Sequence, residues 1–193
     1  MLAPPDIGIA IRVMTAMIFI SAAAGKMRHW LAFQGVVANY RLLPDFLIRP
    51  VAYALPPLEV AIGSSLLTTW ASPWLSPWAE LAAASMLSVF AIAMGVNLLR
   101  GRPHIDCGCF QSTLKQTLRW PLVARNGVMV LLLLGIAVTR DQTGRADSWS
   151  VLNGLLGAVG LFMVWQCLNT LWSIVPSFRL SRAPLHAHSE EST

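Results

Sequence analysis

Cys107 and Cys109, with only Gly108 between them, are the residues of this chain best suited to chemistry. They lie in Arg100–Phe110, RGRPHIDCGCF, which gathers two cysteines, a histidine, an aspartate and two arginines into eleven residues of an otherwise oily sequence. A pair so close can be a dithiol, a disulfide or half of a metal site. A bridge across one residue holds its Cα atoms near the upper end of the usual span, about 4.4–6.8 Å, so it is strained and easily reduced. Glycine supplies the backbone freedom to close it. Thiolate is the nucleophilic form, and Arg100, Arg102 and His104 favour it while Asp106 opposes them. The expectation is a redox-active pair with one attacking sulfur, although the spacing does not say which. Inert cysteines are usually buried, and a basic polar loop is a poor place for one. As metal ligands, His104, Asp106, Cys107 and Cys109 all fall within six residues with no second pair elsewhere, unlike the two separated pairs of a tetrahedral site, so no metal is expected. Cys167 reads as a small apolar helix residue, with a resolving role only if its helix reaches the loop.

The elements that hold this loop must be membrane helices. Apolar residues make up 55% of the chain and charged residues 12%, against about 25% in soluble domains, and the mean hydropathy is +0.59. A chain of 193 residues has room for four or five spans of about 20 residues and no separate soluble domain. The fold class is therefore all-α: a polytopic helical bundle of four core spans plus a fifth at the C-terminus, forming one transmembrane domain over residues 1–178. The net charge of +5 and a pI near 9.7 suit anionic lipid headgroups and do not call for nucleic acid.

In chain order, Ile7–Ala24 is span one, interrupted by Arg12. Small residues at Ser21–Ala24 resemble a signal cleavage site, but no basic residue precedes the run, so a retained span is expected. Gly25–Pro50 is too charged to span, and Trp30–Leu43 reads as a helix at headgroup level, anchored by Trp30 and Tyr40. Val51–Trp70 is span two, bent at Pro56 and Pro57. Ala71–Trp78 is a turn at the aqueous boundary, Ala79–Leu99 is span three, and Pro121–Val138 is span four. After a polar loop at Arg140–Asp147, Val151–Val175 is span five. Residues 179–193 form a polar tail, expected to be disordered.

Ionisable residues inside a span mark function or pairing. Span directions alternate, so Glu59, Asn97, Arg125 and Asn126 all lie towards the face from which the cysteine loop emerges. The reading is a Glu59–Arg125 cluster assisted by Asn97 and Asn126 beneath the loop, with simple helix-to-helix glue as the alternative. Arg12 enters from the opposite face and is expected to snorkel to its surface.

The succession Gly25-Lys26, Asn39–Pro44 (NYRLLP), Pro56–Glu59 (PPLE), Asn97–Arg102 (NLLRGR), Asp106–Phe110 (DCGCF) and Arg125-Asn126 resembles the methylamine utilisation protein MauE family, a branch of the DoxX-like membrane proteins, over residues 7–140. Gln111 departs from the glycine usual in that family. The resemblance implies a multi-pass protein of the bacterial inner membrane. It implies a role in processing, transport or maturation of the light, beta subunit of methylamine dehydrogenase, with a thioredoxin-like protein of the MauD type as partner. It also adds Lys26 and Arg41 to the supporting residues. Electron exchange with such a partner would make the chain a component of a thiol–disulfide oxidoreductase.

Two other readings stand beside it. One is a membrane subunit of a quinone-linked oxidoreductase, with the quinone ring near Trp30 or Trp120. The other is a non-redox transporter or assembly scaffold that uses the Glu59 and Arg125 cluster. The five-span arrangement puts Lys26, Arg28, Arg41, Arg49, Arg100, Arg102, Lys115, Arg119, Arg179 and Arg182 on the cysteine face, against Arg140 and Arg145 opposite. The positive-inside rule then assigns the cysteines to the cytoplasm, whereas chemistry on an exported partner wants the other side.

Overall fold

The computed structural model describes residues 5–69, 73–103, 105, 118–139 and 147–180, and among these there are helices and connections but no strand. The helices are α1 (Pro5–Arg28), α2 (Trp30–Tyr40), α3 (Asp45–Thr68), α4 (Ser76–Leu99), α5 (Trp120–Thr139) and α6 (Ser148–Leu180), with a 3₁₀ turn at Pro73–Leu75 before α4. All but α2 are long and apolar enough to cross a membrane. A 24-residue helix rises about 36 Å, more than the roughly 30 Å of hydrocarbon it must cross. The 33-residue α6 rises about 50 Å, so it tilts or projects from one face.

α1 is the centre of the bundle. Half of its membrane-length window is buried, against 17% for α6, because it packs on α3 along one side and α6 along another. Both contacts are close for a reason visible in the sequence. A Cβ on Gly154 would stand 2.7 Å from the Ile9 side chain and 3.0 Å from the Asp6 carbonyl, and one on Gly63 would stand 3.0 Å from Ile20. Small residues let helices approach where lipid supplies no hydrophobic drive. α4 packs chiefly on α5 and more lightly on α3. The outward faces of α4 to α6 carry Ile92, Leu131, Val138 and Leu156, as a lipid-facing surface must.

Boundaries differ from the sequence reading: α1 runs on to Arg28, past Ala24, and α4 begins at Ser76, inside the stretch expected to be a turn, while three further differences have a local reason. α3 begins at Asp45, not Val51: extended Pro44 caps it, Asp45 favours the positive end of the helix dipole, and the helix runs on through Pro50, Pro56 and Pro57. α2 stops at Tyr40, short of Leu43, because Arg41 turns left-handed at φ 47°. α6 continues to Leu180 and takes in Arg179, a residue of the expected tail; residues 181–193 lie outside the described residues.

Candidate functional site

The end of α4 shows how the chain sets up the cysteine loop. Gly101, at φ 70°, follows the helix; its N–H donates to the Leu98 carbonyl and that of Arg102 donates to Asn97, each at 3.0 Å. These two bonds satisfy carbonyls the helix end would leave bare, and they need a residue that adopts positive φ without strain. The Arg100 guanidinium reaches the Arg41 carbonyl at 3.5 Å, tying α4 to the end of α2. Beyond this, the Leu118 N–H donates to the Ile105 carbonyl at 3.1 Å, and both residues pack in an apolar cluster with Met94, Leu122 and Tyr40. His104, Asp106, Cys107 and Cys109 lie outside the described residues, but the clasp that brings the chain in and takes it out again is described.

Beside the clasp is a buried ion pair. Lys26 Nζ donates to Glu59 Oε1, the two residues being 7% and 1% exposed. The ammonium also lies 5.4 Å from the Phe33 ring centre and 5.1 Å from that of Phe90, within cation–π range of both. Glu59 Oε2 is buried without a hydrogen-bond partner. A cavity of about 310 Å³ opens against the ammonium, its walls including Phe33, Tyr40, Phe90, Ala93 and Met94. Met94 belongs to both this wall and the clasp.

The expected contact between Glu59 and Arg125 is not made. Glu59 on α3 faces α1, where Lys26 is the cation within reach, whereas Arg125 on α5 turns to α6. There it donates to Asn169 Oδ1, and its guanidinium lies 4.1 Å from the Trp165 ring centre. The order of helices around α1 decides this; depth along each helix does not reveal it. Asn97 is fully buried, donates to the Ala93 carbonyl at 3.0 Å and leaves Oδ1 without a partner, while Asn126 is buried as well. Arg12 does not snorkel. It is 2% exposed, its Nε donating to Glu80 Oε1 at 2.5 Å and its Nη2 to Ser76 Oγ at 3.0 Å. Glu80, Trp165 and Asn169 are the polar partners the sequence reading missed. The signal for Glu80 was present, since it lies one turn into α4 and enters from the same face as Arg12. Of the two tryptophans expected near a quinone, Trp30 has its ring centre 3.9 Å from that of Tyr53, tilted by 37°, and Trp120 is exposed. Cys167 is exposed on α6, a thiol outside any disulfide.

This arrangement can do two things chemically: hold a charged pair dry inside the bundle, and offer donor capacity to a cavity at the cysteine end. The family model for "Methylamine utilisation protein MauE" matches residues 5–139, which takes in α1 to α5 with the cysteine pair and both ion pairs. The chain belongs to the MauE family. Among its relatives, the "Methylamine utilization protein MauE" of Paracoccus denitrificans is 42% identical over 163 residues, covering 84% of this chain and 85% of the relative. That of Methylorubrum extorquens is 41% identical, covering 85% and 86%, and that of Methylophilus methylotrophus 33%, covering 86% of each. No solved structure matches. The MauE-family chain is thus a multi-pass membrane protein, and its own bundle is built around α1.

Proposed function

We infer that this protein serves methylamine utilisation in the bacterial inner membrane, as a dithiol–disulfide carrier that supports disulfide formation or rearrangement in an exported partner. The observation that carries the reading is the Ile105–Leu118 clasp at the cysteine end of the bundle. Cys107 follows Ile105 by two residues in the sequence. On this reading the sulfurs work at the rim of the helix cluster, within reach of a docking protein. The partner is a thioredoxin-like protein of the MauD type, and the final substrate is the methylamine dehydrogenase light subunit. A partner thiolate attacks the Cys107–Cys109 disulfide and forms a mixed disulfide. The partner's second thiolate then resolves it, leaving the partner oxidised and Cys107 and Cys109 as a dithiol. Arg100 and Arg102 favour the thiolate that leaves.

Differential thiol labelling on intact cells and lysed vesicles tests this, reporting redox state and membrane face together. Cys107 and Cys109 are expected to interconvert between thiol and disulfide, and a partner whose second cysteine is replaced by serine to be trapped in a mixed disulfide with this chain. Full growth on methylamine by a Cys107→Ser/Cys109→Ser strain would overturn the reading and favour a scaffold.

A further inference from the structure

The cavity beside Lys26 has a chemistry that narrows its occupant. Its walls are apolar apart from the Lys26 ammonium and the Tyr40 hydroxyl group. Lys26 is paired with Glu59, so the floor is a net-neutral pair and offers no uncompensated charge to an anion. An ammonium has three donors, and Glu59 Oε1 takes one; the faces of Phe33 and Phe90 lie near the others. What complements such a floor is a neutral group with a hydrogen-bond acceptor and a flat apolar body. A bare acyl chain would have no use for the donor. At about 310 Å³ the space is at the lower end of ligand pockets, roughly 300–1,000 Å³, enough for one substituted ring and too small for a phospholipid headgroup with its chains.

We propose that this cavity, between the end of α1, α2, the start of α3 and the end of α4, binds the ring of a membrane quinone. Lys26 donates to one of its carbonyl oxygens, and Phe33 and Phe90 flank it. Neither Trp30 nor Trp120 lines the cavity, so the site differs from the one expected from the sequence. Binding is independent of the cysteines, but it completes the reading above, on which this consequence rests. Oxidation of the Cys107–Cys109 dithiol to a disulfide releases two electrons and two protons, the set that converts a quinone into its quinol.

The test titrates the full-length protein in phospholipid nanodiscs with decylubiquinone and, separately, with decylbenzene, which has the same tail but no carbonyl. Saturable binding of decylubiquinone at one site is expected, with decylbenzene at least about tenfold weaker, the loss of a buried hydrogen bond to a charged donor. Ala93→Leu, which fills the cavity, and Lys26→Met/Glu59→Leu, which removes the donor without stranding a charge, should each weaken decylubiquinone by a similar factor. Cys107→Ser/Cys109→Ser should leave it unchanged. Equal binding of the two ligands to the unaltered protein would show a slot for any apolar chain and overturn the proposal, as would no saturable binding or an Ala93→Leu chain that binds normally. Because the readout is binding, the quinone site can fail while the cysteines still cycle, and the reverse.

Discussion

The two ends of α1 carry the same kind of interaction built in two ways. Near its start, Arg12 meets Glu80, and Ser76 closes the group by accepting from Arg12 at 3.0 Å and donating to Glu80 Oε1 at 3.1 Å. Near its end, Lys26 meets Glu59, and the remaining surroundings are aromatic faces and a cavity. Both pairs carry a heavy desolvation cost, offset only by close geometry. Arginine suits the first because its fork of donors can serve a carboxylate and a hydroxyl together. Lysine suits the second because a compact ammonium leaves donors free to turn elsewhere. The first pair joins α1 to α4 and is sealed. The second joins α1 to α3 and is open to a void. The difference separates a fastening from a site.

That distinction is sharpest if the sealed pair is broken. Glu80→Leu leaves Arg12 buried without its carboxylate, and a loss of about 3–5 kcal/mol in stability is expected. Arg12→Met/Glu80→Leu should recover most of it, since an apolar replacement of both partners is often neutral. Unfolding of the purified protein in detergent measures both. The comparison fails if the single change is harmless, or if the double variant is no better and loses quinone binding at the other end.

The five spans and the charged end were legible because composition and 20-residue apolar runs follow directly from the thickness of hydrocarbon. The polar partners were less so. Glu59, Arg125 and Arg12 each stood out as ionisable residues inside a span, and each indeed finds a partner on another helix. Which helix satisfies which depends on the order of α3, α4, α5 and α6 around α1, and periodicity in one chain does not encode that order. Gly63 and Gly154 hold the information, since they are the points where α3 and α6 press on α1, but a glycine in an apolar run does not announce its neighbour. The start of α3 was misread for the opposite reason: Pro50 and Arg49 look like a boundary, yet proline is tolerated within a membrane helix and Arg49 is exposed.

A smaller effect separates the cysteine end from the rest. Gly101→Ala keeps every side-chain contact but forces an L-residue into φ 70°, at an expected cost of about 1–2 kcal/mol. The strain falls on the bonds from Gly101 and Arg102 back to Leu98 and Asn97, so hydrogen exchange should quicken at the Gly101 and Arg102 amides and stay unchanged around Arg12. Faster exchange at both ends would mean that α4 transmits the disturbance and that the two ends are one cooperative unit.

The smallest effect belongs to the sealed end, at the start of α6. Asp147 caps this helix: its Oδ1 accepts from the Ser150 hydroxyl at 2.5 Å and from the Ser150 N–H at 3.1 Å. The Ser150 hydroxyl first, and its N–H second, hold the Asp147 carboxyl below its usual range. A lowered folded-state pKa means that the cap's contribution is present in full above the ordinary aspartate value and is lost as pH falls through the lowered one. Asn caps as well as Asp but does not titrate. The ratio of amide exchange at Ser150 between Asp147→Asn and the unaltered chain is therefore expected to be flat near neutrality and to change only in acid, because the intrinsic pH dependence of exchange cancels between the two. A ratio that already moves near neutral pH would place the titrating group elsewhere, and would mean that this end of the bundle, too, holds an ionisable group the fastening at Arg12 does not account for.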